Sequence, residues 1–274
     1  MDAGLKAFAE TIRAPEPGFD LARAALQIAR IEYPALGVDS YVDELNTLAL
    51  RSRARVPDDP VHRLHRLREF LFEEERFRGN TENYFDPRNS CLNDVLDRRR
   101  GIPITLSLVL IEVGRRVGLP IEGIGLPGHF VVSVDVGDDR VLLDPFNGGA
   151  ILTQDACAEL VAGALGRRVA LKAEHFAPIT KPQFLVRMLN NLKAIYCKQE
   201  AWAKALAVID RLMLVSDTRA AELRDRGTVL MHLGECWKGV ADWERYLTQC
   251  PGAPDAEAIR RRLRRVRESL SSLN

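Results

Sequence analysis

His129 and Asp144 are the residues of this chain best suited by type to share a proton. A histidine is the usual general acid or base near neutral pH, and a carboxylate can hold its ring in one orientation. His129 stands at the entry of a β-branched run, Phe130 to Val136, and Asp144 at the exit of a second, Val141 to Leu143. Gly137-Asp138-Asp139 lies between the runs and reads as the turn of a hairpin. Such a pair becomes catalytic only beside a nucleophile. Cys91, Thr105 and Ser107 are the candidates upstream. Against Cys91 as nucleophile stands the common state of a free cysteine, a small buried apolar residue. Against the two hydroxyls stands ordinary helix packing, which is far commoner.

Other motifs carry less. Gly123-Ile124-Gly125-Leu126-Pro127-Gly128 spells a dinucleotide fingerprint, but that motif needs a helix to follow, so that its N-terminus meets the phosphates. Here a strand follows and Pro127 interrupts the loop, so a nucleotide site is rejected and close backbone approach is the reading. His62 and His65 share a helical face, yet two histidines without a third ligand are weak evidence for metal, and none is expected. Arg98-Arg99-Arg100 and the C-terminal arginines lack interleaved aromatics to stack bases. With a net charge of +1, they read as solubilising surface, and no nucleic acid is expected. No cofactor is called for.

The elements that must position the dyad are legible around it. Gly101-Ile102-Pro103 opens an all-round apolar run, Ile104 to Val117, closed by Gly118-Leu119-Pro120. A helix apolar on every side is a buried one. Upstream, three amphipathic helices are expected: one over 19–32, one after Asp39-Ser40, and one after the loop Pro57-Asp58-Asp59-Pro60. Residues 83–100 read as a polar turn and a short helix that carries Cys91. Thr153 caps a helix to Leu165, and the irregular 166–182 holds the domain boundary. Beyond it Leu206 aligns with Val240, Asp210 with Glu244, Met213 with Leu247 and Asp217 with Pro251, each 34 apart, the period of the tetratricopeptide repeat. Two helix pairs, 187–217 and 221–250, are expected. Trp202, Leu206 and Ile209 should pack inside the first, and Trp237, Val240 and Trp243 should be at least partly buried in the second. A helix over 255–270 closes them, with Ile259, Leu263, Val266 and Leu270 on one stripe and arginines outside.

The order buried helix, strand led by His, strand ending in Asp-Pro resembles the transglutaminase-like core of papain-type thiol enzymes. More closely, the chain is similar to the bacterial SirB-type family, in which tetratricopeptide repeats follow that core. The matching residues are Tyr84, Asp86-Pro87, Asn89-Ser90, Leu92-Asn93, Val95-Leu96, Arg98-Arg99, Gly101-Ile102-Pro103, Leu106-Ser107, Pro127-Gly128-His129-Phe130 and Asp144-Pro145-Phe146. The resemblance implies an α+β fold: a helical N-terminal segment on a transglutaminase-like core with a small antiparallel sheet (1–175), then all-α tetratricopeptide-type helix pairs (183–274). It also implies a cysteine nucleophile at the N-terminus of the buried helix, with His129 moving the proton and Asp144 orienting it. The cysteine position falls on Pro103, between Ile102 and Ile104-Thr105, where there is no thiol. The SirB-type pattern shares this Gly-Ile-Pro, and usually carries an aromatic residue at the position of Cys91.

Composition is that of an ordinary globular chain: 274 residues, 46% hydrophobic and 28% charged. No apolar run approaches a membrane span, and the charged N-terminus does not read as a signal peptide. Five scattered cysteines without a C-x-x-C read as reduced thiols in a cytoplasmic protein. The expectation is a non-catalytic interaction or regulatory module that meets a protein or peptide through the cleft, the repeats or both. The rival is an amide hydrolase or acyl transferase using Cys91 with His129 and Asp144.

Overall fold

The computed structural model describes residues 3–14, 18–53, 59–137, 139–216 and 219–271. Pro57-Asp58 of the expected loop, Asp138 of the turn and Asp217 of the repeat alignment lie outside them, as does the side chain of Leu270. The chain divides into two compact units: Thr11–Met188, and Met1–Glu10 with Leu189–Asn274. The division falls within a helix, later than the 176–182 read from sequence. Lys181-Pro182 opens that helix rather than ending a linker, because proline is accommodated in a first helical turn. A helix not foreseen, α1 (Ala3–Thr11), falls mostly in the second unit.

In the first unit, α2 (Leu21–Ala29) starts at Asp20, whose carboxylate accepts from the Arg23 amide at 3.0 Å. α3 (Val38–Arg53) begins one residue before the expected Asp39-Ser40 cap. The Ser40 hydroxyl donates to the Gly37 carbonyl instead of capping the helix. α4 (Pro60–Glu69) is capped by Asp59 and runs into a π-turn, Phe70–Glu74. After β1 (Arg78–Gly79) and a 3-10 turn, Pro87–Ser90, come α5 (Leu92–Arg98), β2 (Arg100–Gly101) and α6 (Pro103–Arg116). β1 and β2 pair in parallel, Arg78 with Arg100.

α6 is the buried helix read from sequence. Every residue from Pro103 to Leu110 is buried, as are Glu112, Val113 and Gly114. The Glu112 carboxylate is held by Arg115 and Arg116 at the helix end. α3 and α5 pack on α6, and α2 packs on both of them. A sheet follows: β3 (Ile121–Ile124), β4 (Val131–Val136), β5 (Asp139–Asp144) and β6 (Ala150–Leu152), antiparallel in that order. The hairpin is β4–β5, with Val132 opposite Leu143 and Val134 opposite Val141. β3 and β6 were not foreseen, since four and three residues are too few to show alternation. α6 packs on β3 and β4. The opposite face carries Ile124, Val131 and Leu142, which cluster with Cys157 and Val161 of α7 (Gln154–Leu165). Thr153 caps α7, as expected.

The first unit ends in α8 (Lys181–Lys198), whose second half opens the repeats: α9 (Trp202–Val215), α10 (Arg219–His232), α11 (Cys236–Gln249) and α12 (Ala256–Ser271). α9 shifted by 34 residues falls on α11 end to end, and the end of α8 falls on the end of α10. Ala205 and Gly239, Ile209 and Trp243, Leu212 and Tyr246 are matched buried pairs at this shift. Leu206 is half-buried where Val240 is buried. Trp237, expected to be at least partly buried, is 65% exposed. Its partner at the shift is Ala203, also exposed, so the position lies on the outer face and the interior partner of Trp202 is Cys236. Ile259 and Leu263 of α12 close the cluster on Leu223, Trp243 and Tyr246.

Two glycines test this packing. A Cβ on Gly227 would lie 2.5 Å from the Trp243 ring and 3.0 Å from the Gly239 carbonyl, whereas one on Gly163 in α7 meets nothing within 4 Å. Gly227→Ala is expected to lose about 1–3 kcal/mol through overpacking. Gly163→Ala is expected to gain about 0.5–1 kcal/mol. Urea unfolding of each variant reads both; equal effects would contradict the α10–α11 contact.

Candidate functional site

The hairpin register carries Asp144 at the end of β5 toward the residue that precedes β4 by two positions, His129. Nε2 of His129 lies 3.0 Å from Oδ2 of Asp144, and the carboxylate is fully buried. Asp144 also begins a 3-10 turn, Pro145–Asn147. Its Oδ1 accepts from the Phe146 amide at 3.0 Å, and its Oδ2 accepts from Nδ2 of Asn147 at 2.7 Å. Burial alone would raise this carboxyl. The bonds from His129, Asn147 and the Phe146 amide outweigh burial and hold it below its ordinary value. Asp144 thus engages Nε2 of His129 and leaves Nδ1 as the ring nitrogen not bonded to it.

Aromatic rings wall the pair. The Phe146 ring meets His129 edge-on at 6.2 Å, and Tyr84 meets Phe146 at 6.0 Å. Gly79 makes room for Phe146, since a Cβ there would lie 2.6 Å from its ring. Tyr84 is held by Asn89, a fully buried side chain whose Nδ2 donates to the carbonyls of Asn83 and Tyr84. The Asn89 carbonyl accepts from Oγ1 of Thr105 at 2.7 Å, which ties this loop to the first turn of α6. Arg187 of α8 closes another side. Its Nη2 donates to the carbonyls of Leu126 and His129, and its guanidinium lies over Phe130.

The nucleophile candidates lie in buried positions of α6 and of the turn before α5. Pro103 is the first residue of α6, buried, after the extended Ile102. Thr105 spends its hydroxyl on Asn89 as described, and Ser107 is buried in the helix body. Cys91 is not within α5 as expected. It is the extended junction between the 3-10 turn and α5, because Asp86-Pro87 starts a separate turn before it. It is buried, and its thiol lies near enough to the Tyr33 hydroxyl to act on it electrostatically. The thiol that feels Asp144 is one the sequence reading passed over, Cys157. Burial, with the Asp144 charge, pushes it up to about 11, the reverse of an activated thiol. No disulfide joins the cysteines.

The remaining motifs resolve as packing and surface. Gly123 lies in β3 with Phe130 against its Cα, Gly128 takes a positive φ, and a strand follows the loop. Nδ1 of His62 pairs with Asp59, and among the described residues no cluster fit to hold a metal ion occurs. The arginine run is spent on carboxylates: Arg98 faces Asp86, Arg99 pairs with Glu44 and Glu75, and Arg100 with Glu82. Among the described residues no helix is long and apolar enough to cross a membrane. A separate cleft of about 700 Å³, lined by Phe19, Glu112, Arg115, Glu122 and Lys181 among others, does not include the dyad.

The model of the transglutaminase-like superfamily matches residues 39–190, over half of the chain. The chain belongs to the transglutaminase-like superfamily. A tetratricopeptide repeat model matches residues 192–264. The chain is 35% identical over 245 residues to a "UPF0162 protein" of Xylella fastidiosa (strain 9a5c), covering 88% of this chain and 87% of that one. It is 32% identical over 192 residues to a "UPF0162 protein" of Vibrio cholerae, covering 69% and 70%. F-box only protein 21 of Mus musculus is 31% identical over 134 residues, 46% of this chain and 20% of that protein.

The transglutaminase-like dyad has a pH signature. A carboxyl held below its ordinary 3.8 stabilises the fold above that pH, and the contribution fades as pH falls through the folded value. Asp144→Asn is expected to cost about 1.5–3 kcal/mol at pH 7, where it breaks a charge-assisted pair. The gap from the parent chain should narrow below pH 4. Urea unfolding at pH 7 and pH 3 measures it, and a gap that does not change with pH would contradict an ionised Asp144.

Proposed function

We propose that this chain is a non-catalytic, SirB-type transglutaminase-like module that acts by binding a protein or peptide. The observation that carries the reading is Pro103. A buried proline in the first turn of α6 supplies neither nucleophile nor exchangeable proton, while His129 and Asp144 remain bonded to each other. The two nearest thiol candidates support the same reading. Cys91 is buried beside Tyr33, and Cys157 is held firmly protonated. In this reading His129 and Asp144 fix the loop before β4 and present an aromatic-walled recess to a ligand. The tetratricopeptide helices add a second surface of a kind that serves protein contacts. The absence of disulfides accords with work in a reducing compartment such as the cytoplasm.

Two measurements test the proposal. The purified chain is treated with an alkylating thiol probe and offered amide and ester substrates. Cys91 and Cys157 should label only on unfolding, at rates indifferent to His129→Ala, and no substrate should turn over. Rapid Cys91 labelling that His129→Ala abolishes, with turnover, would establish an enzyme instead. In parallel, capture from the native cell with the parent chain and with His129→Ala, both kept below their unfolding temperatures, should show a partner lost by the variant.

A further inference from the structure

β3 is the outermost strand of the sheet, so one of its edges has no strand of the sheet beside it. Open edges are templates for another extended chain. Here the protein covers the edge in part. The Ile179 amide donates to the Gly123 carbonyl at 2.9 Å, and Pro178 forms an antiparallel bridge with Ile124. The cover stops there, because Thr180 and Gln183 exchange bonds at the start of α8 and the chain turns into that helix. Gly123 thus turns its carbonyl away from β4, and Ile121, two residues back, turns its own the same way.

Ile121 also lines the cleft of about 700 Å³, a volume inside the range of roughly 300–1,000 Å³ typical of ligand pockets. The lining comes wholly from the first unit: the approach to α2, the end of α6, β3 and the approach to α8. Its buried apolar members are Phe19, Leu21, Ile121 and Phe184. Ile111, the first residue of α6 that is not fully buried, borders it too. The charges of the lining are already matched. Glu112 holds Arg115 at 3.0 Å, Glu122 faces Arg140 at 3.6 Å, and Asp20 caps α2 beside Arg23. Nζ of Lys181 bonds the Phe19 carbonyl at 2.7 Å and lies over the Phe19 ring. An ionised ligand would have to break one of these pairs or give up water without compensation. An uncharged apolar group is the complement of such a lining.

We infer that the cleft beside β3 binds an extended, uncharged segment of another protein. Its main chain continues the edge pairing where Ile179 leaves off, and an apolar side chain such as leucine enters the cleft. The open edge selects a peptide over a small apolar molecule, since it offers pairing to a main chain while the cleft offers burial to a side chain. The site does not include the His129–Asp144 pair and goes beyond the function proposed for that pair.

The test titrates the isotope-labelled full chain and follows the Gly123 amide and the methyls of Ile111, Ile121 and Ile179 by NMR. The probes are N-acetyl-Val-Leu-Val-amide, the same peptide N-methylated throughout, its counterparts with Glu or Lys in place of Leu, and isopentanol, which carries the leucine side chain without a main chain. The Leu peptide should shift these signals saturably. N-methylation should weaken it about 2- to 10-fold, the net worth of one hydrogen bond. The Glu and Lys peptides should bind about 10-fold more weakly or worse, having lost the burial of a leucine. Ile111→Lys, which brings a charge into the lining, should weaken the Leu peptide by about 10-fold or more. Should Ile111→Lys fail to fold, the N-methyl comparison on the parent chain decides. The inference is overturned if the Leu peptide leaves the signals unmoved, or if N-methylation, a charge in place of Leu or a folded Ile111→Lys makes no difference. It is overturned as well if isopentanol binds as tightly as the Leu peptide. Failure here is separable from failure of the proposed function. A peptide response from a chain that also turns over substrate would sink the non-catalytic reading and leave this site standing. A partner lost by His129→Ala with no peptide response would do the opposite.

Discussion

A helix buried on every side over its first eight residues governs the first unit. α6 buries every side chain from Pro103 to Leu110, so it must be enclosed by other elements before it can be stable. α3 and α5 take one side, and β3 and β4 another. Each enclosing element needs an apolar face of its own, and α2 and α7 then cover what those faces leave exposed. The constraint reaches backbone detail. Gly114 admits Ile121, whose side chain would lie 2.5 Å from a Cβ there. Gly101 leaves space for Thr105 at the helix start, at 2.8 Å from such a Cβ.

Enclosure brings polar groups inside with the apolar ones, and these have to be bonded there. Two residues take most of that work around the recess. Asn89 bonds Asn80, the loop at Asn83 and Tyr84, and through its carbonyl Thr105 and Ile102. Asp144 bonds His129, Asn147 and the Phe146 amide. Neither network asks for catalysis to explain it. Both orient loops that end in exposed or half-exposed aromatic rings, Tyr84 and Phe146. The pair has a structural reason to stay bonded whatever its chemistry, since removing either partner would strand the other in the interior.

The thiols show why environment, not residue type, assigns a role. Cys157 is the cysteine coupled to Asp144, and that same proximity, added to burial, disfavours its thiolate. A helix N-terminus or a cation would do the reverse. The cation near the pair, Arg187, bonds instead to the main-chain carbonyl of His129.

By itself the sequence determined what repeats or runs long enough to be periodic. The fourteen residues of α6, the β4–β5 hairpin, the cap at Thr153 and the shift that lays α9 on α11 are all local patterns, and each is as read. The His129–Asp144 bond belongs with them, because a hairpin makes a distant pair into neighbours by register alone. Corrections fall where local signals compete. Asp39-Ser40 looks like a cap but lies inside α3, Cys91 is a junction, and Trp237 is hydrophobic by type yet outward by phase. β3 and β6 are too short to announce themselves, and exist because β4 and β5 offer unpaired edges. The placement of Arg187 against the His129 carbonyl, of Tyr84 against Phe146, and of Cys157 near Asp144 was decided by tertiary structure alone. The first two contacts join residues 58 and 62 positions apart, and no residue-level periodicity encodes which side chains meet when separate elements close around one buried helix.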